Sequence, residues 1–220
     1  MDSTYQYDLV CIGSGPAGQR GAIQAAKLGR RVALVERRGI MGGVCVGTGT
    51  IPSKTFREAV LSFATSGGDW DRRRLLRPNQ RATSEQLLAR VDDVVKLECQ
   101  LIENQLRRND VDVISGEATF KDPHTLVIHT PEGSSREITA ANILIAVGSV
   151  PTPAPGATSD GETIITSDEI ISIKRMPKTL TVVGAGVIGI EYASMFGAVG
   201  VEVVIVDRRQ RPLEFLDQEI

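Results

Sequence analysis

Few of the residues that announce a chemistry are present. The 220 residues hold two histidines, three cysteines and one tryptophan. Both histidines, His124 and His129, stand apart from every glycine-rich motif, which favours surface structural roles over catalysis. Cys11, Cys45 and Cys99 form an odd, sparse set that excludes a disulfide scaffold. Such usage fits a reducing cytosol, and a cytoplasmic location is expected. Neither sign of charge is in excess: the net charge is −2, which removes any electrostatic case for nucleic acid or an anionic membrane as partner. No apolar run approaches the roughly 20 residues of a membrane span. Met1-Asp2-Ser3 leads straight towards a strand, without the basic and long apolar regions of a signal peptide. No cluster of metal-ligand type stands out.

With 41% hydrophobic and 24% charged residues the chain reads as an ordinary globular protein, long enough for one full domain and part of a second. Glycine is what it has in quantity, 22 residues, many of them in loops of one kind. Leu9-Val10-Cys11-Ile12 is a short apolar run that predicts a buried parallel strand. Gly13-Ser14-Gly15-Pro16-Ala17-Gly18 follows, then a helical stretch closed by Gly29, then Val32-Ala33-Leu34-Val35 ending in Glu36. This is the dinucleotide fingerprint. Gly13 makes the tight turn, Gly15 lets a pyrophosphate approach the backbone, and Gly18 lets helix and strand touch. The helix N-terminus at Pro16 and Ala17 then faces the phosphates, and Glu36, with Arg37 beside it, can reach ribose hydroxyls. Cys11, inside the strand, reads as a small buried hydrophobe.

The fingerprint returns 171 positions later, with Gly13, Gly18 and Glu36 answered by Gly184, Gly189 and Asp207. Gly184, Gly186, Val187, Ile188 and Gly189 form the second loop, and Val203 to Val206 the strand before Asp207. A repeat this regular predicts two dinucleotide sites in one chain. Asp207 suits the free ribose hydroxyl of NAD, whereas Arg208 and Arg209 suit the 2′-phosphate of NADP. Glu36 is also followed by two arginines, Arg37 and Arg38, so the arginine pair discriminates poorly.

Between the repeats lies Gly42-Gly43-Val44-Cys45-Val46-Gly47-Thr48-Gly49-Thr50-Ile51-Pro52-Ser53-Lys54, which suits a backbone lying close against a flat ligand. On these residues the chain resembles the pyridine nucleotide–disulfide oxidoreductases, whose pattern here is Gly-Gly-x-Cys-x4-Cys-x-Pro-x-Lys. Gly42, Gly43, Cys45, Pro52 and Lys54 match; the second cysteine is replaced by Thr50. The departure moves the resemblance to the branch of soluble pyridine nucleotide transhydrogenases. The resemblance implies FAD on the first fingerprint, with Cys45 beside its ring, and NAD(P) on the second. It implies that Lys54 pairs with Glu191 near the flavin. It also implies a β-meander followed by a strand whose end, Ala146-Val147-Gly148, approaches the flavin. Cys45 has two readings, a reactive thiol or a residue packed against the ring; with Thr50 opposite, no intramolecular redox disulfide can form.

The rest reads as framework. Thr65 to Asn79 is polar, with Arg72, Arg73, Arg74 and Arg77 clustered; nothing assigns Trp70 a role. Thr83-x-x-Gln86 is a capping box ahead of a helix over about 85–108, striped with Leu87, Leu88, Val91, Val94, Val95, Leu101, Ile102 and Leu106. Strands are expected at Val111 to Ile114, Ala118 to Phe120, Leu126 to His129, Arg136 to Thr139 and Asn142 to Val147. Pro151 to Gly156 is a stiff connector, and Ser167-Asp168 a helix cap.

The expected fold is α/β: a Rossmann-like FAD-binding domain with a β-meander over 1–150, then the start of a second, NAD(P)-binding domain over 151–220. The expected function is FAD-dependent hydride transfer between NADPH and NAD without a redox disulfide, in a homo-oligomer of which this chain is the N-terminal part. A dihydrolipoamide dehydrogenase-like disulfide oxidoreductase and a non-catalytic flavin-binding fragment are the alternatives.

Overall fold

A computed structural model of the chain describes residues 4–65, 83–154, 156–217 and 219. Trp70 and the arginines at 72, 73, 74 and 77 lie outside the described residues, as does Pro155 of the connector. The chain divides into two compact units, Met1–Pro52 with Val94–Val150, and Ser53–Asp93 with Pro151–Ile220.

The first unit is built on strands β1 (Tyr7–Ile12), β2 (Val32–Glu36), β3 (Val111–Ser115), β4 (Glu117–Asp122), β5 (Thr125–His129) and β6 (Ser135–Ile145). Their order in one sheet is β3-β2-β1-β6-β5-β4. β2 is the run that the sequence marks as continuously apolar, and it is buried at every position. A strand covered on both faces needs no alternation. On one face Cys11, Val32 and Leu34 pack with Ala22 and Ile23 of helix α1 (Pro16–Lys27) and with Ile102 and Leu106. On the other, Val10, Ala33, Val35 and Ile114 pack with Leu126, Ile128, Ile138 and Ala140. Leu34 is fully buried, so Leu34→Ala would cost about 2–5 kcal/mol.

The return of the chain to the sheet differs from expectation. Arg136 to Thr139 and Asn142 to Val147 are not separate strands. β6 runs unbroken for 11 residues, antiparallel to β5 up to Thr139 and parallel to β1 from Ala140. Ala140-Ala141 contains no turn-forming residue, so the chain changes partner without changing conformation. The glycine-rich stretch is largely helical: α2 covers Gly43–Gly47 and α3 covers Thr50–Thr65. Gly42, at φ +105°, supplies the left-handed entry that α2 needs.

In the second unit β7 (Thr179–Val183) and β8 (Glu202–Val206) pair in parallel, with α5 (Val187–Ala198) between them in sequence. Phe56 of α3 is buried, with its ring centroid 5.6 Å from Phe196 and 6.4 Å from Tyr192. Helix α4 (Ser84–Arg108) opens with the expected reciprocal box: Gln86 N donates to Thr83 Oγ1 at 3.2 Å, and Thr83 N to Gln86 Oε1 at 3.0 Å. Its stripe is buried at Leu87, Leu88, Val91, Ile102 and Leu106, whereas Leu101 is exposed. Ser167-Asp168 caps no α-helix. A single 3-10 turn, Ile170–Ser172, follows, and Glu169 ties it down by accepting from Thr166 N, Thr166 Oγ1 and Ser159 Oγ.

Candidate dinucleotide-binding site

The loop after β1 owes its shape to glycines at two positions. Gly13 sits at φ +102°, and a Cβ there would lie 2.4 Å from Ala146 O. A Cβ on Gly18 would lie 1.9 Å from Gly13 O, so no side chain fits where α1 crosses the strand end. Gly15 is different: its Cβ would meet nothing within 4 Å. It borders open space at the N-terminus of α1, where Pro16 occupies the first turn and no side chain caps the helix. Uncapped N–H groups and the helix dipole make that space suited to an anion. Gly43 comes up against the same loop, and a Cβ on it would lie 2.9 Å from Gly15 Cα. The cradle therefore fits a pyrophosphate.

Glu36 is buried beneath this loop. Its Oε2 accepts from Ser14 N at 2.9 Å and Ser14 Oγ at 2.5 Å, and its Oε1 from Arg38 N at 2.8 Å. Burial pushes the carboxyl up, but these hydrogen bonds outweigh it and hold the pKa below its ordinary value. Ser14, fully buried, also accepts from Gly42 N at 3.0 Å. One hydroxyl thus joins the loop, the acid after β2 and the entry to α2. Arg37 points instead to Glu117, at 2.9 Å, in an exposed ion pair.

Cys45 is a partly exposed free thiol in α2, and the residue five positions on is Thr50. Thr48 Oγ1 is buried with no hydrogen-bond partner among the described residues, an orphan that a bound group would satisfy. Ala146 N donates to Ile12 O at 2.9 Å, and Gly148, at φ +71°, has open space where a Cβ would stand. Cys11 is buried, which pushes its thiol up to about 11. Cys99 donates to Met41 O at 3.3 Å, and burial raises it too.

Within the second unit Lys54 Nζ donates to Glu191 Oε1, joining residues 137 positions apart. The lysine is 59% exposed and the glutamate 23%. A pair so exposed adds little to stability, and its location is what matters.

The second loop repeats the first bond for bond. Gly13 N donates to Val35 O and Gly184 N to Val206 O, both at 2.8 Å. Gln19 N donates to Gly15 O and Ile190 N to Gly186 O, both at 3.0 Å. A Cβ on Gly189 would lie 2.1 Å from Gly184 O, and one on Gly186 would meet nothing. Val187 and Ile188 lie exposed at the uncapped start of α5. Ala185 N donates to Asp207 Oδ2 at 2.5 Å, as Ser14 N does to Glu36. Arg209, not Arg208, then closes on the acid, with Nε 2.9 Å from Oδ1 and Nη2 2.7 Å from Oδ2. The guanidinium is the largest of the influences that hold Asp207 well below the usual carboxylate range.

Residues 7–220 match the family model described as pyridine nucleotide-disulphide oxidoreductase. The chain belongs to this family. Among curated relatives, a soluble pyridine nucleotide transhydrogenase of Mycobacterium tuberculosis is 46% identical over 98% of the chain and 46% of its own length. One of Shigella boydii is 39% identical over 100% of the chain and 47% of its own length. The chain thus spans about half the length of these relatives. Among solved structures, a Cu(II) complex of the HOCl-induced flavoprotein disulfide reductase RclA from Escherichia coli aligns with a TM-score of 0.79 at 33% identity, over 97% of this chain and 45% of that one. That neighbour is a flavoprotein. Among the described residues no helix is long and apolar enough to cross a membrane.

Sequence reasoning passed over Ser14. The available signal was Glu36 itself: an acid closing a fully apolar strand must find buried donors, and Ser14 is a hydroxyl in the adjoining turn.

Proposed function

We propose that the full-length protein is an FAD-dependent transhydrogenase that moves hydride between NADPH and NAD. The observation that carries this reading is the single sulfur of Cys45 with Thr50 at the position where disulfide exchange needs a second. The names of the relatives support it. When bound, the flavin supplies a two-electron acceptor at N5 for one nicotinamide and a donor to the next.

The chain's own residues bind, orient and stabilise. Gly13, Gly15 and Gly18 hold the FAD pyrophosphate at the start of α1, with Glu36 on the ribose and Gly42, Gly43, Ala146 and Gly148 lining the way to the ring. Gly184, Gly186 and Gly189 do the same for NAD(P), with Asp207 and its arginines at the adenosine ribose. Lys54, oriented by Glu191, places a positive charge that stabilises negative charge developing on the flavin. Cys45 packs and takes no part in electron transfer. Residues 1–150 serve the flavin and 151–220 begin the coenzyme domain, in a cytoplasmic homo-oligomer.

The test is a hydride-transfer assay from NADPH to thio-NAD with the full-length flavoprotein. Transfer is expected in the wild type and in Cys45→Ser alike. Activity with dihydrolipoamide in place of that transfer, or its abolition in Cys45→Ser with flavin content intact, would overturn the proposal.

A further inference from the structure

The two glycine loops match so closely in backbone that their differences in side chains are informative. At the acid of the first repeat the donors are neutral: two groups of Ser14 and the amide of Arg38. The guanidinium of Arg38 makes no hydrogen bond or ion pair among the described residues. At the second, Ser14 is replaced by Ala185, which has no hydroxyl, and the matched arginine turns onto the acid instead. Asp207 Oδ1 accepts from Arg209 N at 2.7 Å and Nε at 2.9 Å; Oδ2 accepts from Ala185 N at 2.5 Å and Nη2 at 2.7 Å. A carboxylate has about four lone-pair positions, and all are used. The Asp207 side chain is 11% exposed and that of Arg209 39%, so the arginine is the member free to leave.

We infer that Arg209 is a specificity-determining residue that competes with the ribose for Asp207: it must release the carboxylate before a coenzyme hydroxyl can bind there, and a 2′-phosphate gives it a replacement partner whereas a 2′-hydroxyl does not. This rests on the reading of the second loop as the nicotinamide coenzyme site. Opening the ion pair opposes NAD binding without return. With NADP the guanidinium exchanges one bidentate anion for another. Arg209 therefore tightens NADP and, in the opposite sense, weakens NAD. An arginine that merely lent charge to the site would have no such second effect.

The experiment is calorimetric titration of NAD and NADP into the full-length, flavin-loaded protein, wild type against Arg209→Gln, with Asp207→Asn as the second variant. In Arg209→Gln, NADP should weaken by about tenfold or more, the loss expected for one charge-assisted pair, while NAD tightens severalfold. In Asp207→Asn, NAD should weaken while NADP holds or tightens. Arg209 is exposed three residues beyond β8, and an unchanged circular dichroism spectrum and melting temperature report that each variant is folded. If both coenzymes weaken together in Arg209→Gln, or NAD affinity stays unchanged, the competition is refuted while the coenzyme site stands. If the wild type binds neither coenzyme, the underlying reading of the loop falls as well.

Discussion

Ser14 donates its hydroxyl to Glu36 at 2.5 Å from a position with no solvent exposure. The same oxygen receives the Gly42 amide at 3.0 Å. Ser14→Ala leaves both partners short of a bond inside the protein, at a cost of about 1–3 kcal/mol. Thermal unfolding should show that loss. Flavin release, followed by fluorescence on dilution, should be faster, because the two glycine segments are no longer tied to one point. Ser14→Thr keeps the hydroxyl and should recover part of the affinity. An alanine variant with unaltered melting and release would remove Ser14 from any positioning role.

Glu36 makes the stability of the first unit depend on acid. Its pKa is lowered in the fold from an ordinary 4.5, so the stabilisation is fully present above that value and is lost as pH falls through the lowered one. Urea midpoints measured from pH 6 downwards should therefore decline in the acid range. Glu36→Gln should decline less steeply, from a lower starting point. Ser14→Ala should shift the decline to higher pH, since a lowering hydrogen bond has gone. Parallel curves for wild type and Glu36→Gln would show that other carboxylates set the acid limit.

Lys54 and Glu191 belong to different glycine-marked segments and meet within the second unit. Lys54→Met should slow hydride transfer on the order of 10²-fold, the scale for loss of one electrostatic stabiliser, and leave flavin content and melting temperature nearly unchanged. Lys54→Arg should restore part of the rate. Glu191→Gln combined with Lys54→Met should add little beyond Lys54→Met alone. Full turnover in Lys54→Met would reduce the pair to a surface contact.

Tyr192 is buried, and its hydroxyl has no partner among the described residues. Burial, with smaller contributions from Glu191 and Asp168, pushes its pKa up to about 12. Tyr192→Phe removes an unsatisfied donor and keeps the ring against Phe56, so the melting temperature should hold or rise. A fall of several degrees would mean that the hydroxyl does find an acceptor in solution.

The parts of this architecture that follow short-range rules are legible in the sequence. Gly13, Gly18, Gly184 and Gly189 stand at fixed spacing because a Cβ at Gly18 or Gly189 would collide with the turn's own carbonyl. The α4 stripe and the Thr83–Gln86 box are equally local. Other features depend on partners distant in sequence. Leu101 fits the helical period but faces solvent, since period alone does not say how wide the covered stripe is. Gly43–Gly47 has poor helix propensity and is helical because Val46 and Met41 join the core beneath it. The unity of β6 depends on β1 and β5 accepting opposite halves of it. Whether Arg208 or Arg209 would turn onto Asp207 is a matter of a few ångströms after β8, which spacing does not encode.

The partner change along β6 governs the order in which the first unit can be made. The neighbour of β1 on one side, beginning with Ala140 opposite Tyr7, is synthesised more than a hundred residues after β1 itself. Until then one edge of β1 is unpaired, and Gly13 lacks the Ala146 carbonyl against which it turns. Closing a span that long is slow relative to local structure. The meander joined to β6 is thus assembled in the same event that seals the sheet, and the turn at Gly13 is complete only in a nascent chain that has passed Ala146.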